Sequence, residues 1–315
     1  MRYGIPYMGS KSGIAEWVGS YLPPADTLVD LFAGGCAVTH CAMLQRKYKR
    51  YIVNDITDAP RLFCDAIAGK YRNEKRWISR EDFFRLKDDD PYVRLCWSFG
   101  NNQRCYLYAR EIEQWKKALH YARVLGDYSL LRDMGIEGDG SRRDVKAHAE
   151  DYLAKYMAWY GGEVRGRRMH DLQSLERLQS LERLQSLERL QSLGSLERLQ
   201  SLQSLGSLER LQSLQSLQSS YDEVELPDNA VVYCDPPYAN TARYIGDFAH
   251  AKFYDWLRRQ DRPIYVSEYA MPEDFVRIAE RVKSVTLSAK IVNKAVERLY
   301  VHESQVDKIF IPTLF

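Results

Sequence analysis

The chain has 315 residues, 45% of them apolar, which suits one large domain or a core domain with an insertion. A formal charge of +2 excludes neither a basic face nor an acidic partner. The six cysteines show no CxxC or Cys/His ligand spacing and no apolar run approaches a membrane span, so disulfide-framework, zinc-site and membrane-spanning classes are set aside; the N-terminus reads as lacking a signal peptide.

Tyr3-Gly4-Ile5-Pro6-Tyr7-Met8-Gly9-Ser10-Lys11 leads into a helix expected over 12–21, where Ile14, Trp17, Val18 and Tyr21 share one face and Pro23-Pro24 follow. Tyr7 and Lys11 thus flank a glycine turn at a helix mouth, a place that favours a carboxylate or other anion. A helix entry loop is the plainer reading. Next, Thr27-Leu28-Val29-Asp30-Leu31 is a buried strand that runs into Phe32-Ala33-Gly34-Gly35-Cys36 and a helix over 37–47. Small residues here let a ligand approach the backbone, as in a nucleotide-type site of a doubly wound sheet. The pattern is not GxGxxG, so it does not point to NAD. A short second strand over 51–55 ends at Asp55, about 20 residues past the glycine turn, where a carboxylate can hold ribose hydroxyls or simply cap a helix.

Residues 60–170 are rich in Arg, Lys, Tyr and Trp. The turn Asn101-Asn102-Gln103-Arg104 offers amides that can read adenine edges and a guanidinium that can read guanine. Arg142, Arg143, Arg165, Arg167 and Arg168 are candidates for phosphate contacts, against the plainer reading of a solvated surface. Helical patterns over 111–121 and 145–159 predict a mostly helical insertion. From 172 to 219 a leucine recurs every third residue, in sixteen Leu-Gln-Ser, Leu-Glu-Arg or Leu-Gly-Ser triplets. In an α-helix such a stripe drifts by about 60° per triplet. A long 3₁₀ helix is rare, and a flat strand sends successive leucines to opposite faces. The spacing therefore favours a solenoid-like stack with every leucine inward, over paired helices or a disordered segment.

The strand Val231-Val232-Tyr233-Cys234 runs into Asp235-Pro236-Pro237-Tyr238. Two prolines end the ladder and rigidify the loop. Asp235 and the Pro236 carbonyl can accept the two hydrogens of an exocyclic amine while Tyr238 stacks on its ring. An ordinary proline turn is the alternative. Residues 240–244 are expected to move over the substrate. A helix over 249–259 leads to a strand over 264–269, whose end, from Ser267 to Tyr269, should line the same pocket. A helix over 273–281 and strands near 282–287, 298–302 and 308–311 complete the expected sheet.

Taken in order, the segment 6–11, the glycine turn at 30–35, Asn54-Asp55 and Asp235-Pro236-Pro237-Tyr238 resemble the motifs of Dam-type, alpha-class DNA adenine N6-methyltransferases. The resemblance covers about 1–170 and 220–315. It implies an α/β fold: a Rossmann-like methyltransferase sheet from 1–58 and 220–315, a target-recognition insertion over 59–171, and the repeat over 172–219. It implies that Tyr7, Lys11, Asp30, Phe32, Gly34 and Asp55 contact S-adenosylmethionine, with Asp235 also reaching it. Asp235, Pro236, Pro237 and Tyr238 would handle a flipped adenine, and Asn101, Asn102, Gln103 and Arg104 would meet double-stranded DNA. Where that family often has an acidic residue, just before the Tyr of the segment 220–224, this chain has Ser220. The resemblance implies no metal, and a bacterial cytoplasm with a phage or prophage origin is expected from it; the oligomeric state is left open, with a monomer favoured. Two other classes stay open: an RNA or free-base amino-methyltransferase, and a binding protein on an inactive methyltransferase scaffold.

Overall fold

The computed structural model describes residues 2–141, 190–206, 213–238, 248–288 and 291–309, with 143, 151, 154, 155 and 158 besides. The chain divides into two compact units, 1–72 with 199–315, and 73–198.

The first unit is built on a seven-stranded sheet: β1 (Thr27–Asp30), β2 (Arg50–Asn54), β3 (Ser213–Leu217), β4 (Ala230–Cys234), β5 (Ile264–Glu268), β6 (Phe275–Ser288) and β7 (Ile291–His302). Their order is β3-β2-β1-β4-β5-β7-β6. The first five are parallel to one another, and β7 runs antiparallel to both β5 and β6. This mixed α/β sheet is compatible with a Rossmann-like methyltransferase. The central strands β1 and β5 are buried along their whole length, as strands covered on both faces must be. On one face Val29, Val232, Ile264 and Val266 pack against Phe253, Trp256 and Leu257 of the helix α9 (His250–Arg258). Helices α1 (Ala15–Tyr21), α2 (Ala37–Leu44) and α3 (Ala59–Ile67) complete this part of the unit. A 3₁₀ turn at Lys11–Gly13 precedes α1, its start capped by the Ser10 hydroxyl.

The second unit carries α4 (Arg80–Leu86), α5 (Pro91–Cys96), α6 (Glu113–His120) and α7 (Ser129–Asp133). Trp115, Ala118, Leu119 and Ala122 recur at helical spacing and fill its core with Leu131 and Ile136. The helix expected over 145–159 lies outside the described residues apart from 151, 154, 155 and 158.

Three expectations need correction. Residues 273–281 are not helical: Phe275–Ser288 is one long strand paired with β7. A bulge between Arg277 and Ala279 inserts one residue, so Val276 and Ala279 meet the same face of the sheet at a spacing that mimics a helical turn. Near 308–311, Lys308 ends a 3₁₀ turn and Ile309 joins no strand, while 310 and 311 lie outside the described residues. The described part of the leucine repeat is no solenoid. It forms the helix α8 (Gln191–Ser201), a 3₁₀ turn (Leu202–Leu205) and the edge strand β3. The predicted drift of the stripe is real, but a helix this short completes only part of the circuit. Its leucines are used in succession: Leu190 and Leu193 pack with Trp115 and Leu119, while Leu199, Leu202 and Leu205 are buried in turn.

Candidate active site

Strand order reverses at β1: β2 and β3 lie on one side of it, β4 and β5 on the other. An open parallel sheet binds its ligand at such a point, beyond the carboxyl ends of the strands. Here those ends are Asp30 of β1 and Cys234 of β4, whose ladders place Asp30 opposite Tyr233.

The turn after β1 is tied down from several directions. The Leu31 amide donates to the Tyr233 carbonyl (3.0 Å), that of Ala33 to Asn54 (2.8 Å), and that of Ile5 to Gly35 (2.8 Å). The Asn54 side chain, between Leu31 and Ser219, donates to both carbonyls at 3.1 Å. Gly34 has φ +46°, and a Cβ there would sit 2.8 Å from the Tyr7 ring; at Gly35 it would sit 2.7 Å from the Tyr7 Cβ. Tyr7 thus lies against the turn, and only glycine allows that approach.

Two carboxylates flank this turn. Asp55 accepts from the Gly34 amide (2.9 Å) and from both the amide (2.9 Å) and hydroxyl (2.8 Å) of Thr57. Burial raises its pKa and those three donors pull it back. Asp30 Oδ2 accepts from the Thr39 hydroxyl at 2.8 Å, whereas Oδ1 is buried with no hydrogen-bond partner. Burial pushes the Asp30 carboxyl up to about 7, against the pull of Thr39 and with smaller repulsion from Asp235 and Asp55. Phe32 is half-buried, stacked on Tyr221 (5.5 Å between centroids) and edge-on to Phe248 and Phe253.

At the end of β4 the chain brings together four groups. The Lys11 ammonium lies 3.0 Å from Asp235 Oδ1, 3.6 Å from Glu297 Oε2 and 4.3 Å from the centre of the Tyr238 ring. The Tyr238 hydroxyl donates to Glu297 Oε2 at 2.7 Å, and the Tyr269 ring meets Tyr238 edge-on at 4.5 Å. His250 Nε2 donates to the Pro237 carbonyl at 2.8 Å, bracing the second proline from α9. Pro236 is buried. Of the segment 267–269, the Ser267 hydroxyl shares a hydrogen bond with Tyr233 (2.8 Å), and Tyr269 is the member that reaches Tyr238. Burial raises the Asp235 carboxyl to about 6; Lys11 pulls it down and Glu297 pushes it up. Residues 240–244 lie outside the described residues.

Glu297 is the residue that sequence reasoning missed. It sits within Val296-Glu297-Arg298-Leu299, which reads as a half-exposed strand with two solvated charges. Only the antiparallel pairing of β7 with β5 brings it to Tyr238, and it is 3% exposed.

In the second unit, Asn101 to Arg104 sit in a loop closed by the Ser98–Tyr106 bridge and by bonds from Phe99 to Cys105 and Leu107 to Trp97. The Asn101 amide donates to the Leu95 carbonyl at 2.8 Å, and Asn102 Oδ1 accepts from the amides of Arg104 (2.9 Å) and Cys105 (3.0 Å). Those two side chains shape the turn. Arg104 is exposed, and so is Phe99 beside it. Arg142, Arg165, Arg167 and Arg168 lie outside the described residues. Among the described residues no group of three His, Cys, Asp or Glu could hold a metal, and no helix is long and apolar enough to cross a membrane.

No curated protein matches the chain. Residues 7–125 match the family model described as D12 class N6 adenine-specific DNA methyltransferase. That stretch holds Tyr7, Lys11, the glycine turn, Asp55 and the Asn101–Arg104 loop; the Asp-Pro-Pro-Tyr segment follows beyond it. Over these residues the chain is similar to the D12 class N6 adenine-specific DNA methyltransferases.

Proposed function

We propose that the chain holds S-adenosylmethionine over the glycine turn and methylates an adenine that has left the duplex stack. The observation that carries this reading is the Asp235–Lys11–Tyr238 group at the end of β4, beside the turn after β1. The donor set fits the cofactor. Asp30 Oδ1 is a buried acceptor without a partner at the strand switch, and such an atom calls for a ligand donor. Tyr7, Phe32, Gly34 and Asp55 line or brace the same turn.

When bound, S-adenosylmethionine supplies an electrophilic methyl carbon whose bond to sulfur breaks as the bond to nitrogen forms. The protein's own contribution is orientation and charge. A base inside a duplex cannot reach Asp235, so the target must be flipped. Asp235 and the Pro236 carbonyl accept the two N6 hydrogens, turning the nitrogen lone pair toward the methyl. Positive charge then passes to N6, and Asp235, ionised above about pH 6, stabilises it and takes the proton that N6 sheds. Lys11, 3.0 Å away, favours that ionised form. No covalent intermediate with the protein is required.

Incubation of the protein with duplex DNA and S-adenosylmethionine, followed by single-molecule sequencing, tests the reading. N6-methyladenine in a defined sequence context is expected; methylation confined to RNA or free bases would sink it.

Asp55 touches the turn rather than a neighbouring unit, so Asp55→Ala should weaken S-adenosylmethionine binding more than DNA binding. Calorimetry showing unchanged cofactor affinity would return Asp55 to a purely local role in holding Gly34 and Thr57. For the loop of the second unit, Arg104 is the member free to meet DNA, since Asn101 and Asn102 are committed to the turn. Arg104→Ala should weaken duplex binding by about 1–3 kcal/mol if it reads a base, with relaxed sequence preference. A uniform loss with a shallower salt dependence would assign it to a phosphate instead.

A further inference from the structure

We propose that Glu297 is a positioning residue for methyl transfer: from β7 it fixes the Tyr238 ring through the hydroxyl and holds the Lys11 ammonium against Asp235. The proposal rests on the reading of Asp235 as the acceptor of the N6 hydrogens.

A carboxylate that is 3% exposed is costly unless it is paired and hydrogen-bonded. Glu297 has both kinds of partner, and both belong to the site. One oxygen takes the Tyr238 hydroxyl at 2.7 Å and lies 3.6 Å from Lys11. Without it, the hydroxyl end of Tyr238 loses the hydrogen bond to Glu297 that anchors it, while its face and edge keep their contacts with Lys11 and Tyr269. Lys11 has a flexible four-carbon stem, and its ammonium is faced by two carboxylates, one at the end of β4 and one from within β7.

The charge count also matters. Two carboxylates against one ammonium leave an excess negative charge where N6 becomes positive, which favours the transition state. The groups facing Asp235 are Lys11, Asp30 of β1, Tyr233 and Cys234 of β4, Tyr238, Tyr269 beyond β5, and Glu297. Burial holds the phenols and the thiol neutral. The charged neighbours of Asp235 are therefore Lys11, Glu297 and, in its ionised form, Asp30.

Three variants and one combination test the assignment on the full chain, with methyl transfer to duplex DNA as the readout. Glu297→Gln keeps an accepting oxygen and the shape but removes the charge. It should retain kcat within about 5-fold at pH 8, while the acid limb of its pH profile moves to lower pH, because the charge that raises Asp235 is gone. Glu297→Ala should cut kcat by about 10–100-fold with the KM for S-adenosylmethionine unchanged, the scale of a misplaced reacting group. Tyr238→Phe should lose part of that amount, and adding Glu297→Ala to it should cost less than the product of the two single losses. Multiplicative losses, or a Glu297→Gln enzyme as slow as the alanine variant with an unmoved acid limb, would overturn the proposal. If Glu297→Ala fails to fold, the pH profile of Glu297→Gln and the Tyr238→Phe comparison still decide. Failure of the underlying reading looks different: Asp235→Ala would then turn over normally, whatever the Glu297 variants do.

Discussion

Replacing Asp235 with alanine should cut turnover by at least ~100-fold while duplex binding remains nearly intact, the scale of losing one oriented polar group from a preorganised site. The carboxylate touches the reacting amine in the proposed pose, and little else on the DNA depends on it. Lys11 keeps its pairing with Glu297 in that variant, so the protein should remain folded. A rapid-quench measurement of one turnover, set beside a binding isotherm, separates chemistry from affinity. An alanine variant that methylates at the wild-type rate ends the mechanism. For the wild type, kcat should fall on the acid side with a midpoint near pH 6, since only the ionised Asp235 accepts a proton and burial has raised it to about 6. A flat profile down to pH 5 would contradict that role.

Lys11→Ala should lower both stability and activity. The ammonium is the cation 3.0 Å from Asp235 and 3.6 Å from Glu297, and its loss leaves two buried carboxylates facing each other. Breaking a buried ion pair in this way costs about 3–5 kcal/mol. The sign with pH follows from the partner. Without Lys11 the Asp235 carboxyl is raised further, so the penalty is largest at high pH, where it is ionised, and is relieved as pH falls and it takes up a proton. Thermal melts of Lys11→Ala and wild type should therefore converge on acidification, and the acid limb of activity should move upward. Melting curves that differ by the same amount at pH 5 and pH 8 would show that Lys11 acts through packing alone.

Much of the site was legible because it is made of short local devices. A strand, a glycine turn and a helix lie within 27–44, and a strand running into two prolines lies within 230–238. In each, the backbone restrictions of glycine and proline write the conformation into neighbouring residues. The role of Lys11 was less legible. The sequence placed it at a helix mouth suited to an anion, and in the fold its anion is Asp235, more than two hundred residues later.

The tertiary structure decided what residue type alone leaves degenerate. Residues 190–201 and 202–213 have the same twelve-residue sequence, yet the first copy is α8 from Gln191 onward while the second begins as a 3₁₀ turn and ends at the first residue of β3. The contrast is closest in Ser-Leu-Gln-Ser-Leu. At 201–205 it is helical, with Leu202 and Leu205 buried. At 213–217 it is an extended edge strand in parallel register with β2, its leucines half-buried. A three-residue period satisfies neither the helix nor the strand fully, so local preference differs too little to choose. The backbone edge of β2 chooses strand for one copy, and burial of two leucines one turn apart chooses helix for the other. Glu297 is the same lesson at the site: its charge was visible in the sequence, but the pairing of β7 with β5 is what brings it to Tyr238 and Lys11.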